Sequence, residues 1–334
     1  MPPRSAGVAP HPHQRHPAGL PPAPSVSVPL PPVAVLAGPT AVGKTGAALA
    51  LARRLGAEIV NADSLQVYRE LNIGTAKPTA AERALAPHHL IDVAAPDEPY
   101  DAARYGREAR AALAALHARG VPPLVVGGTG LYIRALLHGL FDQADIPPEV
   151  RRRLRQELAR LGPAALHERL ASLDPAGAAR LHPHDAYRIL RALETLEAGG
   201  LPLSALHRAH RFPPPPYRIL KLGLTLPREE LYECIHRRVE AMLEQGWLAE
   251  VEGLLRRHPP DLKPLRALGY RHLIAHLTGR WSWEEALELL RRDTRRYAKR
   301  QLTWFRADPE IHWFNPEESE EMGALMETFF RNHF

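Results

Sequence analysis

Residues Gly38-Pro39-Thr40-Ala41-Val42-Gly43-Lys44-Thr45 spell G-x-x-x-x-G-K-T, the phosphate-binding loop signature. The flanks fit as well as the letters. Val33-Ala34-Val35-Leu36-Ala37 is a short apolar run with strand character, and Gly46 to Leu55 is rich in Ala and Leu and reads as a helix. Strand, glycine loop and helix aim backbone N–H groups and a helix N-terminus at an oligophosphate. Lys44 is expected to reach the terminal phosphate and Thr45 to hold a phosphate-bound Mg²⁺. The expected fold is α/β: a P-loop NTPase-like parallel sheet core with a helical insertion and a helical C-terminal region. The motif fixes a diphosphate or triphosphate ligand and leaves the reaction open.

Other features narrow the class. The single cysteine, Cys234, excludes a disulfide framework and a cysteine-based zinc site and points to a reducing, cytoplasmic setting. No apolar run approaches the roughly 18 residues of a membrane helix. Residues 1–32 carry eleven prolines, three histidines, two arginines and no acid, which excludes a packed core and predicts a disordered tail.

Along the chain, Glu58-Ile59-Val60-Asn61-Ala62 predicts a second strand that runs into Asp63-Ser64-Leu65-Gln66-Val67-Tyr68. Asp63 then lies at the sheet edge where open α/β folds place their ligands. It reads equally well as a helix N-cap. Asn72-Ile73-Gly74-Thr75-Ala76-Lys77-Pro78 is a polar turn, and His88 to Val93 a further strand candidate. The pair His88-His89 lacks a third ligand at useful spacing. Asp101 to Gly120 predicts an amphipathic helix. Pro123 to Val126 is a buried strand ending in Gly127-Gly128-Thr129-Gly130, and a helix follows from Leu131. A nucleotide hydrolase would often carry an acid after such a strand to hold Mg²⁺. Glycine stands there, and Asp92 is the alternative acid.

The composition divides the chain into the tail (1–32), a first core part (33–141), a helical insertion (142–206) and a return to the core with basic helices (217–334). The insertion is interrupted at Gly162-Pro163, Asp174-Pro175 and His182-Pro183. Its last helix sets Arg188 and Arg191 on one face. Phe212-Pro213-Pro214-Pro215-Pro216 is a stiff connector, Tyr217 to Leu226 a strand, and the chain from Arg228 onward is expected to be helical. Between Ala286 and Arg306, seven cations (Arg291, Arg292, Arg295, Arg296, Lys299, Arg300 and Arg306) face two acids, a surplus of +5 within a net charge of +6. Tyr297, Trp304 and Phe305 are interleaved with them. That mixture favours a nucleic-acid partner over a solvated face.

Together these segments resemble the tRNA dimethylallyltransferase family, the bacterial isopentenyl transferases of tRNA, from about Val33 to Arg306. The resemblance rests on the phosphate-binding loop, the segments from Asn61 to Tyr68 and from Asn72 to Pro78, and Gly127 to Tyr132. It continues in His182-Pro183-His184-Asp185 with Arg188 and Arg191, Leu268-Gly269-Tyr270-Arg271, and Lys299-Arg300-Gln301-Leu302-Thr303-Trp304. It implies transfer of a dimethylallyl group from its diphosphate, with Mg²⁺, to N6 of adenosine 37 beside the anticodon. Asp63 would be the general base and Thr129 would assist at the reacting centre. Arg238 would contact the diphosphate beside the phosphate-binding loop. The tRNA anticodon stem-loop would meet Asp63, Ser64, Leu65, Gln66 and Thr129, then Arg151, Tyr187, Arg188, Ile189, Leu190 and Arg191. Further contacts would come from Gly269, Tyr270, Arg271, Arg295, Lys299, Arg300 and Gln301. The implied enzyme is monomeric and cytoplasmic and engages no membrane. The tail has no counterpart in the family, and the zinc-finger extension of its eukaryotic members is absent. Two rivals stay open: a small-molecule or nucleoside kinase on the same scaffold, which leaves the basic helix unexplained, and a non-enzymatic RNA-binding protein, which leaves Asp63 idle.

Overall fold

A computed structural model describes residues 30–140, 146–210 and 214–334, without the side chains of 207–210. Six strands, β1 Pro32–Ala37, β2 Glu58–Asn61, β3 His88–His89, β4 Pro123–Gly127, β5 Arg218–Leu224 and β6 Ile311–Phe314, form one parallel sheet in the order β3-β2-β4-β1-β5-β6. Leu36 of β1 lies opposite Val126 of β4 on one side and Leu222 of β5 on the other. The order turns back between β1 and β4, which opens a crevice at their C-terminal ends. Both glycine loops emerge there.

Alternation along the strands loads both faces of the sheet. Val33, Val35, Val60 and Val125 face one apolar cluster. It is covered by α3 Ala102–Ala118, α4 Gly130–His138, α10 Trp247–Arg257, α11 Tyr270–Leu277 and part of α12 Trp283–Arg306. Ala34, Leu36, Ile59, Leu124, Leu220 and Leu222 face the other. There α1 Lys44–Leu55, α9 Arg228–Glu244 and α13 Ser319–Arg331 close the layer with Leu51, Ile235 and Met326. The short α2 Ala80–Leu85 precedes β3, and a 3₁₀ turn, Pro264–Arg266, precedes α11.

Between α4 and β5 stand α5 Pro148–Leu173, α6 Pro175–Ala178, α7 Ala186–Gly199 and α8 Leu203–His210. They bury Leu154, Leu166, Leu170, Ile189 and Leu193 in a third cluster of their own. α5 breaks at Gly162, where φ is +78° ahead of Pro163, as the sequence predicts.

Several expected boundaries move. Pro32, expected in the tail, opens β1, a position that needs no ladder donor; residues 1–29 and 211–213 lie outside the described residues. β3 stops after two residues because Leu90 and Asp92 take left-handed backbone (φ +62° and +60°). The C-terminal region is not wholly helical: β6 pairs with β5, and at four residues it is too short to announce itself by alternation.

Candidate active site

The phosphate-binding loop needs backbone that most residues resist: φ is +65° at Ala41 and +95° at Gly43, which ends the loop and caps α1. Helix α1 therefore starts at Lys44, two residues earlier than expected. Lys44 Nζ donates to the carbonyls of Gly38 at 3.0 Å and Pro39 at 2.7 Å. Burial first, and then the Arg238 guanidinium, push its pKa down to about 7 against the opposing pull of the Asp63 carboxylate. Burial also lowers the pKa of Arg238, against the pull of Asp63. Two cations from α1 and α9 and a carboxylate after β2 thus lie within electrostatic reach of one another. That polarity suits an anion between the cations and a proton acceptor at its edge.

Asp63 caps a turn rather than a helix. Its Oδ1 accepts from the N–H groups of Leu65 at 2.8 Å and Gln66 at 3.3 Å, while Oδ2 takes no hydrogen bond among the described residues. One oxygen therefore holds a turn where the sequence offered a helix N-cap, and the other is left to the cleft. The cleft is lined by Lys44, Thr45, Asp63, Gln66 and Gly127, with Ala48, Ile59 and Val126 as its apolar wall.

Thr129 stands at the start of α4 but does not cap it. Its Oγ1 accepts from the Ser64 N–H at 3.1 Å and lies 3.4 Å from the Ser64 hydroxyl. Tyr297 of α12 stands nearby; burial, then the Asp63 charge, raises its pKa. The acid missing after β4 has a steric explanation. A side chain at Gly127 would run into the Ala62 carbonyl, and one at Gly128 into the Gln301 amide. Asp92, the alternative acid, is consumed by Lys77 at 2.6 Å and Arg83 at 2.8 Å.

Gln301 sits inside the protein. Its Oε1 accepts from Thr40 N–H at 2.8 Å and its Nε2 donates to the Gly128 carbonyl at 2.9 Å, strapping the two glycine loops to α12. Other residues expected on the tRNA surface also turn inward. Ile189 is fully buried with Ala192 and Leu193 because it falls on the apolar stripe of α7. Gly269 is buried, and so is Tyr270, whose hydroxyl donates to Glu250 at 2.7 Å. Leu190 packs on the insertion's own cluster. The others face outward or half outward. Tyr187 is 80% exposed, and Arg151 and Arg188 are exposed. Arg191 lies 3.5 Å from Glu194, and Arg271 pairs with Asp293 at 2.7 Å. Arg295 donates to His236 Nε2 at 2.7 Å and lies over the Tyr232 ring. Lys299 and Arg300 are exposed, Arg300 over Tyr297.

Among the described residues, no group of three or more His, Cys, Asp or Glu side chains could hold a metal ion. Magnesium keeps waters and takes phosphate oxygens alongside only one or two protein ligands. The Thr45 hydroxyl at the foot of the cleft, with Asp63 across it, fits an ion that arrives with a diphosphate. No helix among the described residues is long and apolar enough to cross a membrane.

The profile of the IPP transferase family matches residues 66–308, and that of isopentenyl transferases matches residues 31–91. The chain belongs to the IPP transferase family. It is 56% identical over 294 residues to the tRNA dimethylallyltransferase of Syntrophobacter fumaroxidans, covering 88% of this chain and 86% of that one. To the tRNA dimethylallyltransferase of Geobacter sulfurreducens it is 48% identical, covering 89% and 96%. The crystal structure of the tRNA isopentenylpyrophosphate transferase of Bacillus halodurans superposes with a TM-score of 0.68 at 37% identity, covering 91% of this chain and 98% of that one. A eukaryotic dimethylallyltransferase acting on tRNA superposes at 0.77 and 28% identity, covering 91% and 80%.

Proposed function

We propose that this protein transfers a dimethylallyl group from dimethylallyl diphosphate to the N6 amine of adenosine 37 in tRNA. The observation that carries the proposal is the cleft lined by Lys44, Thr45 and Asp63, with Arg238 within electrostatic reach: a site for an anion beside a carboxylate with one uncommitted oxygen. An exocyclic adenine amine is a poor nucleophile, so a base that takes its proton as the bond forms lowers the barrier. In the proposed step the amine nitrogen bonds the allylic C1, the C1–O bond breaks, and the electron pair leaves on diphosphate. The N6 proton passes to Asp63 Oδ2. Lys44, Arg238 and the loop N–H groups stabilise the growing charge on the leaving group. Thr45 would hold the Mg²⁺ that neutralises the diphosphate. Thr129, fixed by Ser64, would hold the reacting amine in place. The target base leaves its stack to reach the cleft.

The basic face of α12 and the exposed Arg151, Tyr187 and Arg188 of the insertion supply the tRNA surface in this reading. Nothing in the site favours the kinase reading, since Asp92 is paired and the turn after β4 has no room for an acid. The test is incubation with dimethylallyl diphosphate, Mg²⁺ and unmodified tRNA, followed by nucleoside mass spectrometry. N6-dimethylallyladenosine in the anticodon-loop fragment is the expected product. Its absence, or a strict dependence on ATP, would return the kinase reading.

A further inference from the structure

A single carboxylate far from the cleft holds the backbone beside it. Glu250 Oε2 accepts from the N–H groups of Asn72 at 2.9 Å and Ile73 at 2.8 Å. Its Oε1 accepts from Gly74 N–H at 3.2 Å and from the Tyr270 hydroxyl at 2.7 Å. Three consecutive amides on one side chain form an anion nest filled by a residue 176 to 178 positions away. The fit is tight in shape too. The Trp247 indole, one turn before Glu250 on α10, lies where any side chain at Gly74 or Gly269 would have to stand.

The segment so held is stiff. Thr75 Oγ1 donates to the Leu71 carbonyl at 2.9 Å, Lys77 N–H donates to the Asn72 carbonyl at 3.0 Å, and Lys77 Nζ donates to the Tyr68 carbonyl at 2.7 Å. Its far end carries the carbonyls of Thr75 and Ala76, which accept the Gln66 side-chain amide at 3.1 and 3.3 Å. The Gln66 backbone N–H in turn donates to Asp63 Oδ1. Hydrogen bonds joined by short stretches of chain therefore link α10 to the carboxylate in the cleft. On the other side, Tyr270 begins α11, and its neighbour Arg271 pairs with Asp293 of the basic helix α12.

We propose that Glu250 is a positioning residue: it clips the 72–74 backbone to the C-terminal helices and, through Gln66, sets the turn that presents Asp63. The proposal rests on the prenyl-transfer reading for its kinetic arm and on geometry alone for its structural arm. A misplacement of about 1 Å at a reacting group can cost on the order of 100-fold in rate.

The test compares Glu250→Ala and Glu250→Gln with the unchanged protein, using the full chain. Hydrogen exchange at the amides of Asn72, Ile73 and Gly74 reads the clip directly. Transfer to tRNA is measured at saturating substrates and normalised to sites titrated with a non-reactive thiodiphosphate analogue of the donor. We expect exchange to quicken at least tenfold in Glu250→Ala. We expect kcat per titrated site to fall about 10- to 100-fold, with the KM for dimethylallyl diphosphate within twofold. Glu250→Gln should lie between, because it keeps one acceptor oxygen but turns an NH₂ toward two donors. It also carries the test if the alanine variant melts below the assay temperature. Unchanged exchange, or faster exchange with kcat per site within threefold of the unchanged protein, would overturn the proposal. If the unchanged protein modifies no tRNA, it is the prenyl-transfer reading that has failed, and the exchange data show this separately.

Discussion

Burial first, and then Arg238, push the Lys44 pKa down to about 7. A bound diphosphate favours the protonated amine, so the pKa is higher in the complex than in the free enzyme. The sign follows. Below about pH 7 the free lysine is already charged and binding needs no proton. Above it, each binding event takes one up, and affinity falls by up to about tenfold per pH unit. Calorimetry at pH 8 in buffers of different ionisation enthalpy should therefore show uptake of nearly one proton, lost in Lys44→Met. A donor affinity that stays flat from pH 7 to 9 would contradict this. Asp63 offers a cleaner substitution than most catalytic candidates. Asparagine keeps an Oδ1 that can accept from Leu65 and Gln66, so the turn should survive in Asp63→Asn. Single-turnover transfer should drop about 10²- to 10⁴-fold with tRNA affinity retained; a rate within a few-fold of the parent would leave Asp63 only its turn. Lys44, Thr45 and Asp63 were legible because each lies within a few positions of a turn with its own local signature. Tyr297 and Glu250 were not. They stand on helices far along the chain, and a side chain's partner across such a distance leaves no trace in local spacing.

The basic helix α12 shows the same limit for an element. Its period and charge were readable, but counting charges along one helix does not show which of them are neutralised. Asp293 alone meets Arg271 at 2.7 Å, Arg292 at 3.2 Å and Arg296 at 3.7 Å, and Arg291 reaches Glu240 of α9 at 3.1 Å. Arg291, Arg292 and Arg296 of α12 thus each have a carboxylate within reach. The second half carries Lys299, Arg300 and Arg306 with no carboxylate partner among the described residues, beside an exposed Trp304. In the prenyl-transfer reading, phosphates of the tRNA would lie at that end. Replacing Lys299 and Arg300 by glutamine should lower the slope of log affinity against log salt by roughly 0.7 for each phosphate of a single-stranded segment that is no longer neutralised. The Arg292→Gln variant, whose parent charge already faces Asp293, should change the slope much less. Equal slopes in all three proteins would mean that the free end of α12 faces solvent when tRNA is bound. Strand β6 escaped notice for a related reason. Four residues after a turn carry too little alternation, and what makes them a strand is the β5 edge, which exists only in the folded chain.

At the scale of the molecule, apolar burial among the described residues falls into three clusters, two on the faces of the sheet and one within α5 to α8. The glycine loops, Lys44, Asp63 and Arg238 all hang on the first two. The exposed Arg151, Tyr187 and Arg188 hang on the third. Much of this plan was readable, since a P-loop core and an Arg- and Leu-rich insertion differ in composition and punctuation. What composition could not show is that the insertion closes a core of its own, because Leu154, Leu170 and Ile189 meet only once the chain has bent at Gly162. Separate cores predict separable damage. Leu170 is fully buried in the third cluster, and truncating such a leucine leaves a cavity costing about 2–5 kcal/mol. Leu170→Ala should therefore loosen the tRNA surface alone. The KM for tRNA should rise several-fold, while calorimetric affinity for dimethylallyl diphosphate stays within a factor of two. Leu51→Ala, an equally hidden change behind the phosphate-binding helix, should do the reverse: weaken the donor site and lower the main melting transition. The order of effects matters more than their size. If Leu170→Ala weakens donor binding in parallel with tRNA binding, the insertion and the sheet unfold as one unit, and the two substrates are not served by independent cores.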